Sequence, residues 1–491
     1  MRLKEKLISL DRRWNEFLKI WGIIAIMIAI ELHEWIVTFL NAWALIKPLI
    51  LLFYYEIILE YFLFFKKIIF FVFKKLQFLI LNVLNIIIKW IKKVDFNINK
   101  RSKYAQTLTY FTGLWALLGL MVLTSASYYT SRKKHNIGLY YIIRQLIWGF
   151  GGILGSFCII TSPIENILKT SDIYFFIGLV LIFLTTIPKV GYSINGARRW
   201  IKIGKFLIQP AELIKPLWII QLGKIFGQWE KLSIANRVFW LSLFLLIILG
   251  ILLQPNLSTA TLFGMTLWFI ALVSGIDWRF LLTTVIAGGI AGIISISCKE
   301  YQKRRLLFFL NPWKDPKGEG YQLIQSLYAI ASGQMFGTGL GWSRQKLFYL
   351  PIHETDFIFA IFAEEVGFIG CLFFILFLLT YTYLALKVAR KTNNLQKKSI
   401  AIGCMLILVM QSLLNMGVAS GVLPTTGFPL PFFSYGGNAL IACLINASIL
   451  IRIAIEETPH ATYLKAARRR LLKKLIHLNK SKKSKRTSYK K

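Results

Sequence analysis

The chain has 491 residues, of which 56% are hydrophobic, and its mean hydropathy is +0.59. This composition excludes an ordinary soluble protein, because successive apolar runs are long enough to cross about 30 Å of hydrocarbon. The formal net charge of +37 is typical of cytoplasmic loops and of surfaces that face anionic lipids, and we predict no nucleic-acid partner. The sequence therefore predicts an all-α polytopic membrane protein.

Residues 1–104 are predicted to be a separate membrane-associated extension. Between residues 64 and 93, Lys and Asn side chains fall within an arc of about 100° on a helix whose other surface is apolar. That pattern is typical of a basic amphipathic helix lying in the membrane interface. An earlier apolar run, Trp35–Tyr55, is interrupted by Lys47 and Pro48. Zero or two additional crossings in this region would both keep the N-terminus cytoplasmic.

Residues 105–456 are predicted to form a core of ten membrane spans. Basic segments precede the first span, join the eighth to the ninth and make up the tail 457–491, and ten spans place all of them on the cytoplasmic side. We expect the tail to contact anionic lipids and the largest extracytoplasmic loop to join spans 7 and 8. The spans are expected near 107–128, 140–161, 172–189, 209–226, 237–254, 257–275, 279–298, 356–387, 398–420 and 437–455.

Three loops on the opposite side of the membrane have unusual compositions. The loop after span 3 and the segment from about Lys299 to Thr355 carry cations against the positive-inside trend, which favours an anionic ligand. Ordinary scatter is the alternative, since "SRKKH" at 131–135 breaks the trend as well. The third loop, "LPTTGFPLPFFSYGG", contains Pro and Gly that are tolerated at membrane depth where the backbone lines a cavity, so it is a candidate re-entrant loop. The cations are Arg198, Arg199, Lys202, Lys205, Lys303, Arg304 and Arg305.

Asp356 lies at the start of span 8, in "PIHETDFIFAIFAEE". The His353–Glu354 pair resembles the opening of a zinc-protease motif, but position 357, where the second His would be, is Phe, so we predict no metal site. Asp356 could cap the helix, although Thr355 could do so instead. A carboxylate facing a cavity at the membrane boundary could also serve as a general base, because desolvation raises its pKa.

Four further ionisable residues within predicted spans are candidates for such a cavity, since charged side chains there usually face protein or a polar cavity. Glu364 is eight residues after Asp356, so both could line one cavity, with Glu365 beside it. Glu212 and Lys215 are three residues apart on a helix and could pair. We interpret that pair as mainly structural, with direct participation in chemistry as the alternative.

Several motifs in order resemble the family of shape, elongation, division and sporulation (SEDS) proteins. They are "NGARRWIKIG…IQPAELIKP", "QPNLSTA", "NPWKDPKGEGYQLIQSLYAIASGQMFGTGLGWSRQKLFYLP", "TDFIFAIFAEEVGFIG" and "LPTTGFPLPFFSYGG", within residues 107–452. The "NPWKDP" and "LPTTG" versions look more like the cell-division branch than the elongation branch. Residues 1–104 lie outside the resemblance.

The resemblance implies a ten-helix peptidoglycan glycosyltransferase that polymerises lipid II, a disaccharide-pentapeptide on a polyprenyl diphosphate. It implies that Asp356 is the residue required for polymerisation, acting as a general base in an inverting displacement. We expect basic and polar side chains to bind the substrate, namely Arg198, Arg199, Trp200, Arg304, Arg305, Gln345 and Lys346. Residues expected to support the cavity are Glu212, Lys215, Glu364, Glu365, Pro424, Ser434 and Gly436.

The sequence departs from the family pattern at three positions near these motifs. Glu354 occupies the place of the usual His, and Asn256 and Ser258 replace Asp and Gly in "QPNLSTA". Two alternatives to polymerisation stay open: a flippase for lipid-linked precursors and a non-catalytic division scaffold.

The resemblance also implies partners. They are a class B penicillin-binding protein with transpeptidase activity and other division proteins. No cofactor is required by the motifs, and a divalent cation, Mg²⁺ or Mn²⁺, remains compatible with them. The abundance of Lys, Ile, Phe and Asn indicates an AT-biased genome, so both a bacterial inner membrane and a plastid inner envelope are compatible, with both termini cytoplasmic or stromal.

Overall fold

The computed structural model describes residues 103–457 apart from 189, 195, 205, 299 and 426. At 291, 293–296, 298 and 300–303 the side chains are also outside the description. The predicted extension up to residue 102, with its amphipathic helix, and the tail from 458 onward therefore lie outside the described residues. So do Lys205 and the side chain of Lys303.

Helices make up most of the described chain, as the apolar runs predict. They are α1 (Lys103–His135), α2 (Tyr140–Thr161), α3 (Ile164–Leu184), α4 (Pro210–Phe226), α5 (Ile234–Leu253), α6 (Leu257–Val273), α7 (Trp278–Cys298), α8 (Glu300–Leu310), α9 (Tyr321–Ser332), α10 (Ile358–Lys391), α11 (Leu395–Ala419, with a π-helical turn at Leu406–Met410) and α12 (Gly437–Glu456).

Seven of these helices are long and apolar enough to cross a membrane: α1, α2, α3, α5, α10, α11 and α12. A helix also lies at each of the other three predicted spans, and two of those helices, α4 and α6, have 17 residues each. The third span begins earlier than predicted, at Ile164 instead of near residue 172. Its first turns carry Glu165, Lys169 and Asp172, which obscure the helix in a hydropathy reading.

The helix surfaces have the character of membrane helices. On α2 the buried residues are Gln145, Gly152 and Ser156, whereas large apolar side chains such as Phe150 and Ile153 are exposed. A Cβ at Gly152 would lie 2.6 Å from Leu444 Cδ1, so the glycine lets α2 approach α12 closely. Small or polar residues at helix contacts and apolar residues outside are typical of proteins in lipid.

The loop after α3 forms a small antiparallel sheet, which the all-α prediction did not include. Its strands are β1 (Gly191–Ile194), β2 (Ala197–Ile203) and β3 (Phe206–Ile208), in the order β1-β2-β3. Gly196 and Gly204 lie in the two turns with φ values of 77° and 58°, a region that glycine enters without a steric penalty. The sheet therefore fixes which face of β2 each of its cations occupies.

α4 lies at the centre of the bundle and packs against α3, α11 and α12. Nearly all of its side chains are buried, including Trp218, which donates to Thr266 Oγ1 on α6 at 3.0 Å. In the same core, Trp115 of α1 packs against the rings of Phe374, Tyr381 and Phe432. These contacts join α1 and α10 to the segment that follows α11.

The predicted large loop before α10 contains structure of its own. α8 and α9 lie within it, and α9 packs against α10. α10 is interrupted at Gly367, where φ is 67° and ψ is −170°, a conformation that is essentially restricted to glycine. At this break, Phe368 N donates to Gln334 O at 2.8 Å, which ties the chain just after α9 to α10.

Candidate functional site

Asp356 lies in the turn immediately before α10. The N-cap of α10 is Phe357, whose side chain makes no capping bond, so the capping interpretation of Asp356 is not supported. The buried Asn415 of α11 donates from Nδ2 to Asp356 O at 2.8 Å and to Phe428 O at 2.6 Å. Asn415 therefore joins the turn that carries Asp356 to α11 and to the Pro-rich segment.

The Pro-rich segment, residues 421–436, wraps around the same turn. Ser434 donates from Oγ to Thr355 O and accepts from Leu430 N at 2.8 Å, and Tyr435 N donates to Glu354 O at 2.9 Å. Gln145 of α2 clamps the end of the segment, because its Nε2 donates to Ser434 O and its Oε1 accepts from Gly436 N, both at 3.2 Å. The predicted supporting residues Ser434 and Gly436 thus lie in the wall that holds Asp356.

The carboxyl of Asp356 is crowded by protein while the residue keeps partial exposure to solvent. Burial raises the pKa of Asp356 from 3.8 to about 6, against a hydrogen bond from Thr355 and the charges of Arg305 and Arg199, which lower it. The nearby Glu354 adds a smaller upward contribution to this pKa. A carboxyl with this pKa is a usable base near neutral pH.

Arg199 reaches the site from β2. It donates from Nε to Gln254 O at 3.1 Å and from Nη2 to Pro255 O, on the turn between α5 and α6. Its neighbour Arg198 is exposed and opposite Ser193 of β1, and Trp200 is half-buried opposite Tyr192. The charge of Arg199 is one of the influences that lower the pKa of Asp356.

Arg305 reaches the site from α8. Its Nη1 donates to Thr425 O at 3.2 Å, beside the half-buried Pro424 of the Pro-rich segment, whereas Arg304 is exposed. In the same segment, a Cβ added at Gly427 would lie 3.5 Å from Asp356 Oδ2. All three unusual loops of the sequence therefore meet around one carboxyl group.

The end of α1 also reaches this region. Lys134 Nζ lies 3.8 Å from Glu354 Oε1, and Lys133 Nζ lies 4.1 Å from the ring centre of Phe348. His353 is buried, with Nδ1 2.6 Å from Leu350 O and Nε2 3.0 Å from Ala126 O. Two cations of the "SRKKH" segment, Lys133 and Lys134, are thus in contact with the loop before Asp356. The alternative of ordinary scatter is based on this segment.

Glu364 and Glu365 are buried and have separate partners. Glu364 accepts from Ser343 Oγ at 2.5 Å and from Arg344 N at 2.9 Å. Lys346, also buried, donates from Nζ to Glu365 Oε1 at 2.7 Å and to Ser125 Oγ of α1 at 2.9 Å.

Two residues that were predicted to bind substrate, Lys346 and Gln345, instead make contacts within the protein. The charge of Lys346 is neutralised within the protein by Glu365. Gln345 is half-buried and donates from N to Glu364 Oε2 at 3.3 Å. Both side chains belong to the loop that the two carboxylates hold against α10.

Glu212 and Lys215 form the predicted pair. Lys215 Nζ lies 2.7 Å from Glu212 Oε1 and donates to Gln411 Oε1 of α11 at 2.9 Å, with both charged residues buried. Gln411 in turn donates to Pro429 O at 2.7 Å. This chain of bonds connects α4 and α11 to the Pro-rich segment.

Within the described part of the chain, no group of three or more His, Cys, Asp or Glu side chains is arranged to hold a metal ion. Glu354, the acid nearest to Asp356 in sequence, is directed to Lys134 and His353. The protein side chains alone therefore do not fit a divalent cation at Asp356.

Sequence reasoning missed the polar residues that organise the site. Asn415 and Gln411 on α11 and Gln145 on α2 are amides within apolar spans, and no spacing rule connects any of them to Asp356. Their burial in lipid-embedded helices is the signal that could have selected them, because a buried amide needs partners.

Comparisons with known proteins agree on one family. The family model for cell cycle proteins of the FtsW, RodA and SpoVE type matches residues 105–459. A protein of Cyanophora paradoxa that carries the name peptidoglycan glycosyltransferase FtsW is 52% identical over 355 residues, which is 72% of this chain and 89% of that relative. A Synechocystis relative of the same name is 48% identical over 70% of this chain and 87% of its own.

Solved structures share the fold. A chain from a study titled "Structural coordination of polymerization and crosslinking by a peptidoglycan synthase complex" has a TM-score of 0.60 and 26% identity, covering 72% of this chain and 98% of that one. The rod shape determining protein RodA of Thermus thermophilus has a TM-score of 0.53 and 24% identity, covering 72% of this chain and 96% of that one.

Proposed function

The chain belongs to the FtsW, RodA and SpoVE family, and from that premise we propose that it is the peptidoglycan glycosyltransferase of a division machinery. It is an integral, multi-pass membrane protein. The observation that carries the proposal is that the charges of Arg199, on the loop after α3, and of Arg305, on α8, both act on the carboxyl of Asp356 beside the Pro-rich segment. A carboxylate base beside fixed cations suits a reaction that removes a proton and expels an anion.

The proposed reaction is a single inverting displacement on lipid II. The acceptor sugar hydroxyl attacks the anomeric carbon of the donor, and Asp356 accepts the hydroxyl proton as the new glycosidic bond forms. The bond between that carbon and the diphosphate breaks, and its electron pair leaves with the polyprenyl diphosphate. An α-linked donor thus gives a β-linked product.

Arg199 and Arg305 are proposed to stabilise the diphosphate. Each guanidinium is anchored by a backbone carbonyl, at Gln254 and Thr425 respectively, so its charge stays in place as the leaving group becomes more negative. Arg198, Arg304 and Trp200 are proposed to contact outer parts of the substrate. Lys346 and Gln345 receive a supporting role, since Lys346 is already paired with Glu365.

No step of this proposal passes through a metal ion. A divalent cation could be held there only with oxygen ligands from the diphosphate in addition to Asp356, an arrangement that Mg²⁺ adopts in phosphate-transfer sites.

We further propose ten membrane crossings with both termini cytoplasmic or stromal. Contacts at the two ends of α4, α6 and α7 support it, because each helix joins opposite ends of the bundle. Asn438 donates to Leu207 O before α4, and Gln396 donates to Lys224 O at its end. A 17-residue helix spans about 26 Å, which is close to the hydrocarbon thickness.

The ends of α6 and α7 follow the same alternation. α6 begins at the Arg199 contacts with the turn at Pro255 and ends where Ser274 meets Ser399 at 3.2 Å. α7 starts near that second end and leads to Arg305. The proposed domains are the extension 1–104, the core 105–456 and the basic tail 457–491.

A class B penicillin-binding protein is the proposed partner. The solved structure with a TM-score of 0.60 comes from a complex described as coordinating polymerisation and crosslinking. A transpeptidase beside this chain would crosslink the strands that it polymerises. The proposed location is a bacterial inner membrane or a plastid inner envelope.

Purified protein with labelled lipid II tests the assignment. We expect Asp356→Asn to lose polymerisation by at least about 100-fold, the scale of a missing general base. Glu319→Gln is the matched control, because Glu319 is an exposed acid of the same loop segment, and it should retain activity. Near-normal glycan synthesis by Asp356→Asn would refute the base assignment. Lipid II transport that persists while wild-type protein makes no glycan would favour the flippase.

A further inference from the structure

A cavity of about 440 Å³ lies at the end of the bundle where α1 begins and α10 and α12 end. Its walls combine apolar side chains, Leu384 and Val388 among them, with the ammonium groups of Lys103 and Lys391. Glu457 is the acid at its edge. The mixture of an apolar wall and a cationic rim differs from the polar surroundings of Asp356.

Tyr104 organises the cations at the rim. Lys391 Nζ lies 4.3 Å from the centre of the Tyr104 ring and Lys387 Nζ lies 5.9 Å from it. Lysines at the end of an apolar helix extend their stems along apolar surface and place the charge at the membrane boundary. The ammonium groups of Lys387 and Lys391 therefore lie near one aromatic ring, and Lys391 lines the cavity together with Lys103. Glu457 is the one acid among the described residues that line it.

The cavity lies at the opposite end of the helices from Asp356. α10, which has 34 residues, begins next to Asp356 and ends at Lys391, after its break at Gly367. The same end holds a buried cluster in which Lys397 and Arg452 pair with Glu456 at 2.6 and 2.9 Å. Under the ten-crossing proposal this end faces the cytoplasm or stroma, where membrane surfaces carry anionic lipids.

We propose that this cavity binds the phosphate ester of an anionic glycerolipid from the inner leaflet. The ammonium groups of Lys103 and Lys391 take the phosphate, and the apolar wall takes the glycerol and the first methylene groups of the lipid. A bound lipid of this kind bridges α1, α10 and α12. The polymerisation assignment plays no part in this inference.

Native mass spectrometry of the full-length protein, released from nanodiscs of phosphatidylglycerol and phosphatidylcholine, tests the site. Wild-type protein should retain one more phosphatidylglycerol than the Lys103→Ala/Lys391→Ala variant, with affinity falling about fivefold for each lysine removed. Lys169→Ala/Lys231→Ala is the matched control, since both are exposed lysines predicted on the same side, and it should bind like wild type.

A variant with unchanged charge distinguishes binding of the lipid in the cavity from general attraction of anionic lipid by the lysines. Thr107→Trp fills the half-exposed side of the cavity and keeps every lysine, so it should also lose the retained lipid. Soluble glycerol phosphate serves as a competitor, to test whether the cavity binds a free phosphate ester as well as a lipid. Equal retention by wild-type protein and the double lysine variant would overturn the proposal. So would retention of phosphatidylcholine to the same extent, or displacement of the lipid by an equal concentration of glycerol phosphate.

Discussion

Arg198 and Arg199 are neighbours on β2, but strand alternation turns their side chains to opposite faces of the sheet. Arg199 binds the turn at Gln254 and Pro255 and acts on Asp356, while Arg198 is exposed. Arg304 and Arg305 differ in the same way at α8. The chain therefore offers two matched pairs in which identical side chains have unlike surroundings.

These pairs predict unequal effects on catalysis. Arg199→Ala and Arg305→Ala should each lower the polymerisation rate by at least about tenfold, because a preorganised cation next to the leaving diphosphate is lost. Arg198→Ala and Arg304→Ala should change the rate much less. Single-turnover assays with labelled lipid II measure the difference. Equal losses within a pair would indicate general attraction of an anion by the loops.

The pKa of Asp356 predicts the pH dependence of the rate. Burial raises this pKa to about 6, and a base acts only when deprotonated, so the rate should be half-maximal near pH 6. It should fall about tenfold for each further pH unit toward acid. Arg199 lowers the pKa, so Arg199→Ala should shift the acid limb to higher pH. The profile of Arg198→Ala serves as the reference, and an unshifted limb in Arg199→Ala would contradict the assignment.

At the residue scale, the sequence allowed candidate site residues to be chosen. It did not allow the contacts of each side chain to be predicted. Charge patterns selected the cations of the loops and Asp356, and the charges of Arg199 and Arg305 both lower the pKa of Asp356. Lys346 has the same formal charge, yet Glu365 from another segment neutralises it. Pairing across some twenty residues of loop depends on tertiary packing, which charge patterns do not encode.

At the scale of elements, α10 acts as the support for the loop before it. Glu364 binds the turn at Ser343 and Arg344, and Glu365 binds Lys346, so two adjacent acids hold one loop at different points. The break at Gly367 follows directly. There Phe368 N donates to Gln334 O, and Thr338 N donates to Glu364 O at 2.9 Å. The periodicity of an apolar span predicted the helix, whereas the break depends on a single glycine.

The buried pair of Lys346 and Glu365 predicts a distinctive stability pattern. Lys346→Met should destabilise the protein by about 3–5 kcal/mol, because it leaves Glu365 buried without its counter-charge. The double variant Lys346→Met/Glu365→Leu should recover most of that loss, since both charges are then absent. Thermal unfolding in detergent measures both variants. A double variant as unstable as the sum of the two single ones would show that the residues are not coupled.

At the scale of the whole molecule, the predicted side of the membrane for each loop decides which loops can meet at the site. The prediction of ten spans rested on basic loops, and a described helix lies at each predicted position. The small sheet was not predicted, because its strands are short and its pattern resembles an ordinary polar loop. Length and composition identify seven helices that can cross a membrane. The proposal that α4, α6 and α7 also cross rests on the contacts at their two ends.

Reporter fusions test the crossings of the shorter helices. A phosphatase that is active only outside the cytoplasm, fused after Gln228 or after Gly275 in a bacterial host, should be inactive, because α4 and α6 each return the chain to the cytoplasmic side. Fusions after Asn136 and Asp315 should be active, and a fusion after Asn393 should be inactive. Activity after Gln228 would mean that α4 does not cross. The loop carrying Arg199 would then lie on the opposite side of the membrane from Arg305 and Asp356, and the proposed site could not form.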